Sequence, residues 1–352
     1  MYKRRATGQV KAGSLIIGSS SPITIQTMWD KPLDIIDTGL INRINGLKKL
    51  GCDIIRFAVP TMQAAEQLGL LADRLELAVV ADIHFDYRIA LKCLDYPIAK
   101  LRLNPGNIGG AKQVKEVARK ALDKAIPIRI GVNGGSLEKR LASLPRVEAL
   151  VASALEEANL LEQVGFKQIV VSIKDSNPNY VLEANRLLAK QCDYPLHLGI
   201  TEAGPLIPSL TKSAFFLGTL LSEGIGDTIR ISISDTPERE VMAGRELLST
   251  LGLANQPKPK LISCPRCGRA SFDVHGFSQK LEPILYTINK DITIAVMGCA
   301  VNGPGEAGHA DLAISGIGDK VFVYKYGQKV YSGKAIEAES YFMQQLNELA
   351  AG

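Results

Sequence analysis

Ala99-Lys100-Leu101-Arg102-Leu103-Asn104-Pro105-Gly106-Asn107-Ile108-Gly109-Gly110, a helical stretch to Ala125, and then Pro127-Ile128-Arg129-Ile130-Gly131-Val132-Asn133 read as strand, glycine-rich turn, helix and next strand. A short apolar run that ends in a Gly/Asn turn and opens a helix is the repeating unit of a parallel sheet. The same alternation extends on both sides, from about residue 22 to 250. Strand-like runs fall at Ile23–Thr27, Asp53–Val59, Leu77–Ile83, Ala99–Leu103, Ile128–Val132, Gln168–Ile173, Leu196–Ile200 and Thr228–Ile233. Helical patterns separate them at Asp37–Leu50, Gly110–Ala125, Val147–Val164, Pro178–Lys190 and Leu210–Gly224, with Gly51, Gly165 and Gly224 at the positions that favour a helix C-cap. Eight such units predict a (β/α)8 TIM barrel over residues 1–254, since an open dinucleotide-binding sheet would carry a Gly-x-Gly-x-x-Gly turn after its first strand.

The segment 255–260, Asn-Gln-Pro-Lys-Pro-Lys, has linker composition. Residues 261–352 follow as a small α+β domain, with strands at Ile292–Val296, Leu312–Ile314 and Val321–Tyr324 and a closing helix from about Lys334. The net charge of +5 over 352 residues is too modest to call for nucleic acid. No apolar stretch approaches the ~18 residues of a membrane span, and no apolar run follows the basic Met1–Arg5 as in a signal peptide. The expectation is a cytoplasmic protein.

In such barrels the chemistry gathers at the C-terminal ends of the strands. Those ends carry Gln26 and Thr27; Arg56; Asp82 and His84; Arg102 and Asn104; Arg129 and Asn133; Ser172 and Lys174; His197, Thr201 and Glu202; Arg230 and Ser232. One arginine at a strand end is an ordinary surface ion pair. Four arginines and a lysine converging on one mouth demand anions, and guanidinium groups suit bidentate phosphate binding. The turns after Leu103 and Val132 add backbone N–H groups at helix starts. A compact diphosphate fits this chemistry. Glu202, among those cations, is the candidate proton donor, while His84 and His197 read equally well as hydrogen-bonded structural residues.

Of six cysteines, Cys52, Cys93 and Cys192 read as small buried hydrophobes. Cys264-Pro-Arg-Cys267 and Gly298-Cys299 lie in Gly/Pro-rich turns, and Glu306 follows shortly after. Three thiols and a carboxylate suit an iron–sulfur cluster with one exchangeable position, and equally a structural zinc ion. A phosphate-binding barrel with a zinc-stabilised appendage, and a zinc-ribbon-like nucleic-acid binder, are therefore the rival readings.

A run of ordered motifs narrows them. Ala81-Asp82-Ile83-His84-Phe85, Leu103–Gly109, Arg129–Leu137, Pro195–Gly204, Gly224–Arg230, Cys264–Arg269 and Met297–Glu306 resemble the bacterial 4-hydroxy-3-methylbut-2-enyl diphosphate synthases of the non-mevalonate isoprenoid pathway, in their two-domain form. The resemblance implies reductive dehydroxylation of methylerythritol cyclodiphosphate, with electrons from flavodoxin or ferredoxin passing through one [4Fe-4S] cluster per chain. It implies Cys264, Cys267, Cys299 and Glu306 as cluster ligands. It also implies Arg56, Arg129, Asn133, Lys174, Arg230 and Ser232 as diphosphate contacts, Glu202 as the acidic catalytic residue and Asn302 beside the cluster. Arg102 and His197 join the substrate set from their strand-end positions. Two residues depart from the family pattern: Trp29 where a Thr is usual, and Asp175 where a small residue is usual.

Topology adds an expectation about assembly. The last barrel helix runs away from the mouth, and six linker residues reach only ~20 Å. The cluster domain is therefore expected to cap a partner chain's barrel in a head-to-tail homodimer.

Overall fold

The first unit begins with a hairpin, β1 (Val10–Ala12) and β2 (Leu15–Ile17), that the strand–helix alternation does not announce. In the computed structural model the chain divides into two units, Met1–Asn255 and Gln256–Gly352. The structure describes residues 3–104, 108–137, 139–141, 143–265, 267–299, 301 and 303–351. After the hairpin come β3 (Thr24–Met28), α1 (Thr38–Lys49), β4 (Ile54–Ala58), α2 (Met62–Ala72), β5 (Ala78–Ile83), α3 (Tyr87–Cys93), β6 (Lys100–Leu103) and α4 (Ala111–Asp123). The second half continues with β7 (Ile128–Asn133), α5 (Arg146–Glu162), β8 (Ile169–Lys174), α6 (Pro178–Gln191), β9 (His197–Leu198), α7 (Leu206–Ser222), β10 (Thr228–Ile229) and α8 (Pro237–Thr250).

The strands pair in the order β8-β7-β6-β5-β4-β3-β10-β9, and a parallel bridge between Val171 and Leu196 joins the two ends. This is the TIM barrel expected from the sequence. Outward residues such as Ile55, Phe57, Leu101 and Ile130 pack against Ile44, Leu68 and Val117 of the surrounding helices. At the N-terminal end, Val10, Ala12 and Ile17 of the hairpin pack on the inward Ile54, Val80 and Val170, so the hairpin plugs the barrel there. Asp37, Thr61, Asp86 and Asn177 cap helices by accepting backbone N–H bonds. Gly51, Gly165 and Gly224 take positive φ past helix ends, as expected.

The last two strands are shorter than the runs Leu196–Ile200 and Thr228–Ile233 suggest. Beyond Ile229 the carboxylate of Glu240 accepts the Ile233 N–H at 3.2 Å, a role that a ladder bond would otherwise fill.

The second unit carries a five-stranded sheet in the order β11 (Lys260–Ser263), β12 (Thr293–Met297), β13 (Leu312–Ile317), β14 (Lys320–Lys325) and β15 (Gln328–Gly333). The first three strands are parallel and the last three antiparallel. Ile294, Val296 and Ile314 face α9 (Val274–Leu285) and α11 (Ala335–Ala351) across Phe277, Leu281 and Phe342, with Phe277 edge-on to Phe342 at 5.3 Å. The alternate residues Ala295, Met297 and Ala313 pack with Ala307 of α10 (Gly303–His309) on the other face. Strands at β12, β13 and β14 and the closing helix match the sequence expectation; β11, β15, α9 and α10 add to it.

Candidate active site

Side-chain alternation decides what the barrel encloses. The in-register pairs Asp82–Arg102, Arg102–Arg129 and Gly131–Ser172 put these residues on the inner face, with Arg56, Lys174 and Arg230 on the same side. A cavity of about 150 Å³ opens there, lined by Arg56, Arg102, Arg129, Asn133, Lys174 and Arg230 among others. That is smaller than the ~300 Å³ at which pockets for drug-sized ligands begin, and it suits a compact charged group.

Two carboxylates hold the cations in place. Asp82, buried, meets Arg56 at 3.4 Å and Arg102 at 3.0 Å. Burial opposes its ionisation, but Arg56 and Arg102 outweigh that and keep its pKa below the usual carboxylate range. Glu240, from the first turn of α8, receives Arg230 through Nε at 3.0 Å and Nη2 at 2.7 Å, and Thr27 Oγ1 donates to it at 2.7 Å. Arg129 is 1% exposed and donates to Ser172 Oγ at 2.8 Å, while its Nε and Nη2 have no partner among the described residues. Five cations (Arg56, Arg102, Arg129, Lys174, Arg230) thus face two carboxylates. Burial, and then Arg129 and Arg56, push the Lys174 pKa well below its ordinary value. Such an excess of buried cations is costly by itself, and an anion of two or three charges relieves it.

Glycine makes room for the cations at two inward positions. A Cβ at Gly131 would lie 2.6 Å from Arg102 Nε, and one at Gly199 would lie 2.7 Å from Lys174 Nζ. Arg102 crosses β7 in that space and donates to the Gly131 carbonyl at 3.2 Å. Side chains there would push both cations out of the cradle.

Thr201 and Ser232 line the cavity, and so does His84, whose Nε2 lies 2.9 Å from Arg102 Nη1. His197 lies fully buried below, its Nδ1 3.3 Å from Thr228 Oγ1. Glu202 is not gathered among the cations: it is exposed, on the rim beside Thr201, and holds φ at +55°, a left-handed conformation that costs a non-glycine residue about 1 kcal/mol or more. Asn302 lies outside the described residues.

Both departures from the family pattern turn away from the cavity. Trp29 is buried in the outer core with the Arg43 guanidinium 5.1 Å over its ring. Asp175, next to Lys174 and so on the opposite face, takes Arg146 at 2.8 Å and the Asn177 N–H at 2.8 Å.

In the second unit, Cys264 follows β11 and Cys299 follows β12, at the same end of neighbouring parallel strands. The Gly298 N–H donates to Cys264 Sγ at 3.3 Å, and the Ser271 N–H donates to the Gly298 carbonyl at 2.7 Å, which ties the two loops together. Glu306 stands in the first turn of α10, directly after the Cys299 loop. An amide donor to sulfur and three thiols on adjoining loops fit a thiolate-held metal centre. The side chains themselves are not gathered at metal-binding spacing among the described residues. Chain placement brings the Cys264 and Cys299 loops to one end of the sheet, and Cys267 is the most exposed of the three thiols.

Sequence reasoning passed over Lys100 and Glu240. Lys100 had a signal: it stands two residues before Arg102 and therefore on the same face. Glu240 had none, because Pro237-Glu238-Arg239-Glu240 reads as an ordinary charged helix start.

The GcpE TIM-barrel domain family matches residues 7–245 and the GcpE protein C-terminal domain family matches residues 260–348. The 4-hydroxy-3-methylbut-2-en-1-yl diphosphate synthase (flavodoxin) of Treponema pallidum (strain Nichols) is 47% identical over 337 residues, covering 92% of this chain and 83% of its own. The protein of the same name from Clostridium acetobutylicum is 45% identical over 351 residues, 99% of this chain and 100% of its own. Among solved structures, dihydropteroate synthase from Thermus thermophilus superposes with a TM-score of 0.53 at 14% identity, over 70% of this chain and 98% of its own, a likeness of fold alone.

Proposed function

The chain belongs to the GcpE family, and on that premise we propose that it reductively dehydroxylates 2-C-methyl-D-erythritol 2,4-cyclodiphosphate to 4-hydroxy-3-methylbut-2-enyl diphosphate, in isoprenoid biosynthesis. The observation that carries this reading is the buried excess of cations at the barrel mouth, which only a compact polyanion offsets. Arg56, Arg129, Asn133, Lys174, Arg230 and Ser232 bind the diphosphate, with Arg102 beside them. His197 supports the cradle from below. Their charge counters the repulsion that each added electron would meet at a bound diphosphate. Glu202, on the rim, supplies the proton with which the departing hydroxyl leaves as water.

Cys264, Cys267 and Cys299 would hold one [4Fe-4S] cluster through their thiolates, with Glu306 as its oxygen ligand, and the family resemblance adds Asn302 to the set. When bound, such a cluster supplies electrons singly and a Lewis-acidic iron. Flavodoxin is the donor that the relatives' names support. Among the described residues no helix is long and apolar enough to cross a membrane, and the reading assigns the enzyme to the cytoplasm. Anaerobic purification tests the cofactor: a brown protein with ~4 iron and ~4 sulfide per chain is expected, and a colourless protein with stoichiometric zinc overturns it.

The working assembly in this reading is a head-to-tail homodimer in which the cluster domain acts over the partner's barrel. The short linker, leaving from the end opposite the mouth, supports it. Mixing a Glu202→Gln chain with a Cys299→Ser chain is expected to restore activity, because one of the two shared sites then pairs an intact barrel with an intact cluster domain. No recovery, with subunit exchange demonstrated, contradicts it.

A further inference from the structure

Beneath the arginine layer lies a lysine that the cradle does not use. Lys100 is the first residue of β6 and faces inward, opposite Val80. It is 0% exposed, and its Nζ has no hydrogen-bond partner among the described residues. Charged groups turned toward it are Arg56 from β4 and Arg129 from β7, and it in turn acts on His197 from β9. Lys174 of β8 acts on His197 as well. Asp82 on β5 is already engaged by Arg56 and Arg102. The remaining inward neighbours, Thr24 and Gln26 of β3 and Thr228 of β10, carry no charge.

An ammonium group without a partner, buried beside two guanidinium groups, gives up its proton more readily than any surface lysine. Burial, then Arg129 and Arg56, bring the Lys100 pKa down to about 7. The amine is therefore mostly neutral in the empty barrel at slightly alkaline pH. An anion settling on Arg129 and Arg56 cancels the charges that expelled the proton. We propose that Lys100 is a reserve cation under the cradle, which takes a proton from solvent onto its amine as a diphosphate binds above it. Binding is thereby coupled to proton uptake, and the barrel avoids holding a sixth positive charge while it is empty. This rests on the reading of the mouth as a diphosphate cradle.

Below pH 7 the amine is charged with or without ligand, and no uptake is linked to it. Above pH 7, up to the raised value in the complex, each binding event draws up to one proton to Lys100. Lys174 takes up protons by the same logic, so the contribution of Lys100 is read as a difference.

The test is calorimetric titration of the anaerobically purified holoenzyme with inorganic pyrophosphate at pH 8, in buffers of differing ionisation enthalpy, for wild type, Lys100→Met and Lys100→Gln. Iron content and circular dichroism report that each variant is folded. Roughly one proton fewer taken up by both variants than by wild type supports the proposal. Equal uptake by all three, with pyrophosphate bound, overturns it and leaves the cradle reading intact. Failure of pyrophosphate to bind wild type overturns the cradle reading and this inference with it.

Discussion

Arg129→Met lowers kcat/KM by roughly two to three orders of magnitude while raising the thermal stability of the substrate-free protein. The two halves of this expected result have one cause. Arg129 is buried, donates to Ser172 at 2.8 Å, and keeps two further nitrogens without partners. Removing one side of a desolvated charge pair costs about 2–5 kcal/mol of binding, which is roughly 30-fold to several-thousand-fold. Most of the loss is expected in KM, because a diphosphate bound in the proposed cradle would meet the guanidinium before and during reaction. Without ligand, burial and then the charges of Arg56 and Arg102 lower the pKa of this side chain. An apolar residue of similar length removes that crowding. Steady-state kinetics and thermal unfolding on one preparation check both. A variant that loses activity and stability together would mean that Arg129 is a structural strut.

Cys264→Ser abolishes turnover, to below ~1% of wild type, and strips most of the iron, while pyrophosphate affinity stays within about twofold. The first effect follows from the place of Cys264 at the end of β11, where the Gly298 N–H reaches its sulfur at 3.3 Å; a hydroxyl is a far poorer ligand to iron. The second follows from the division of the chain. The cradle is built wholly from the first unit, and the second has its own core around Phe277, Leu281 and Phe342. Iron analysis with pyrophosphate calorimetry separates these outcomes. Loss of pyrophosphate binding in this variant would contradict the assignment of the anion to the barrel alone.

Much of the barrel was legible because parallel strands buried on both sides read as apolar runs, and Gly or Pro punctuates their ends. The hairpin Val10–Ile17 was not, since two three-residue strands carry no period and gain their place only by plugging the barrel. Arg56, Arg102, Arg129, Lys174 and Arg230 were legible as a set because strand ends share a mouth. How they are held was not. Glu240 comes from a helix start that looks solvated, and the space for Arg102 and Lys174 comes from the missing Cβ atoms of Gly131 and Gly199, a role that no sequence pattern marks. Glu202 shows the opposite error. Charge reasoning placed it among the cations, yet backbone geometry turns it to the rim with φ at +55°. The two cysteine loops stood out by spacing, and they adjoin because β11 and β12 pair in parallel. Asp175 looked like a departure near the site, but Arg146 accounts for it on the outer face.

The central claim is that one protein joins a phosphate cradle to a reducing centre. Its most direct test is turnover: the anaerobically purified protein is supplied with methylerythritol cyclodiphosphate and chemically reduced flavodoxin, and the product is identified by mass spectrometry. The expected product is 4-hydroxy-3-methylbut-2-enyl diphosphate, formed with two electrons consumed per product and none formed without reductant. Unchanged cyclodiphosphate in the presence of an intact cluster and reduced flavodoxin would contradict it.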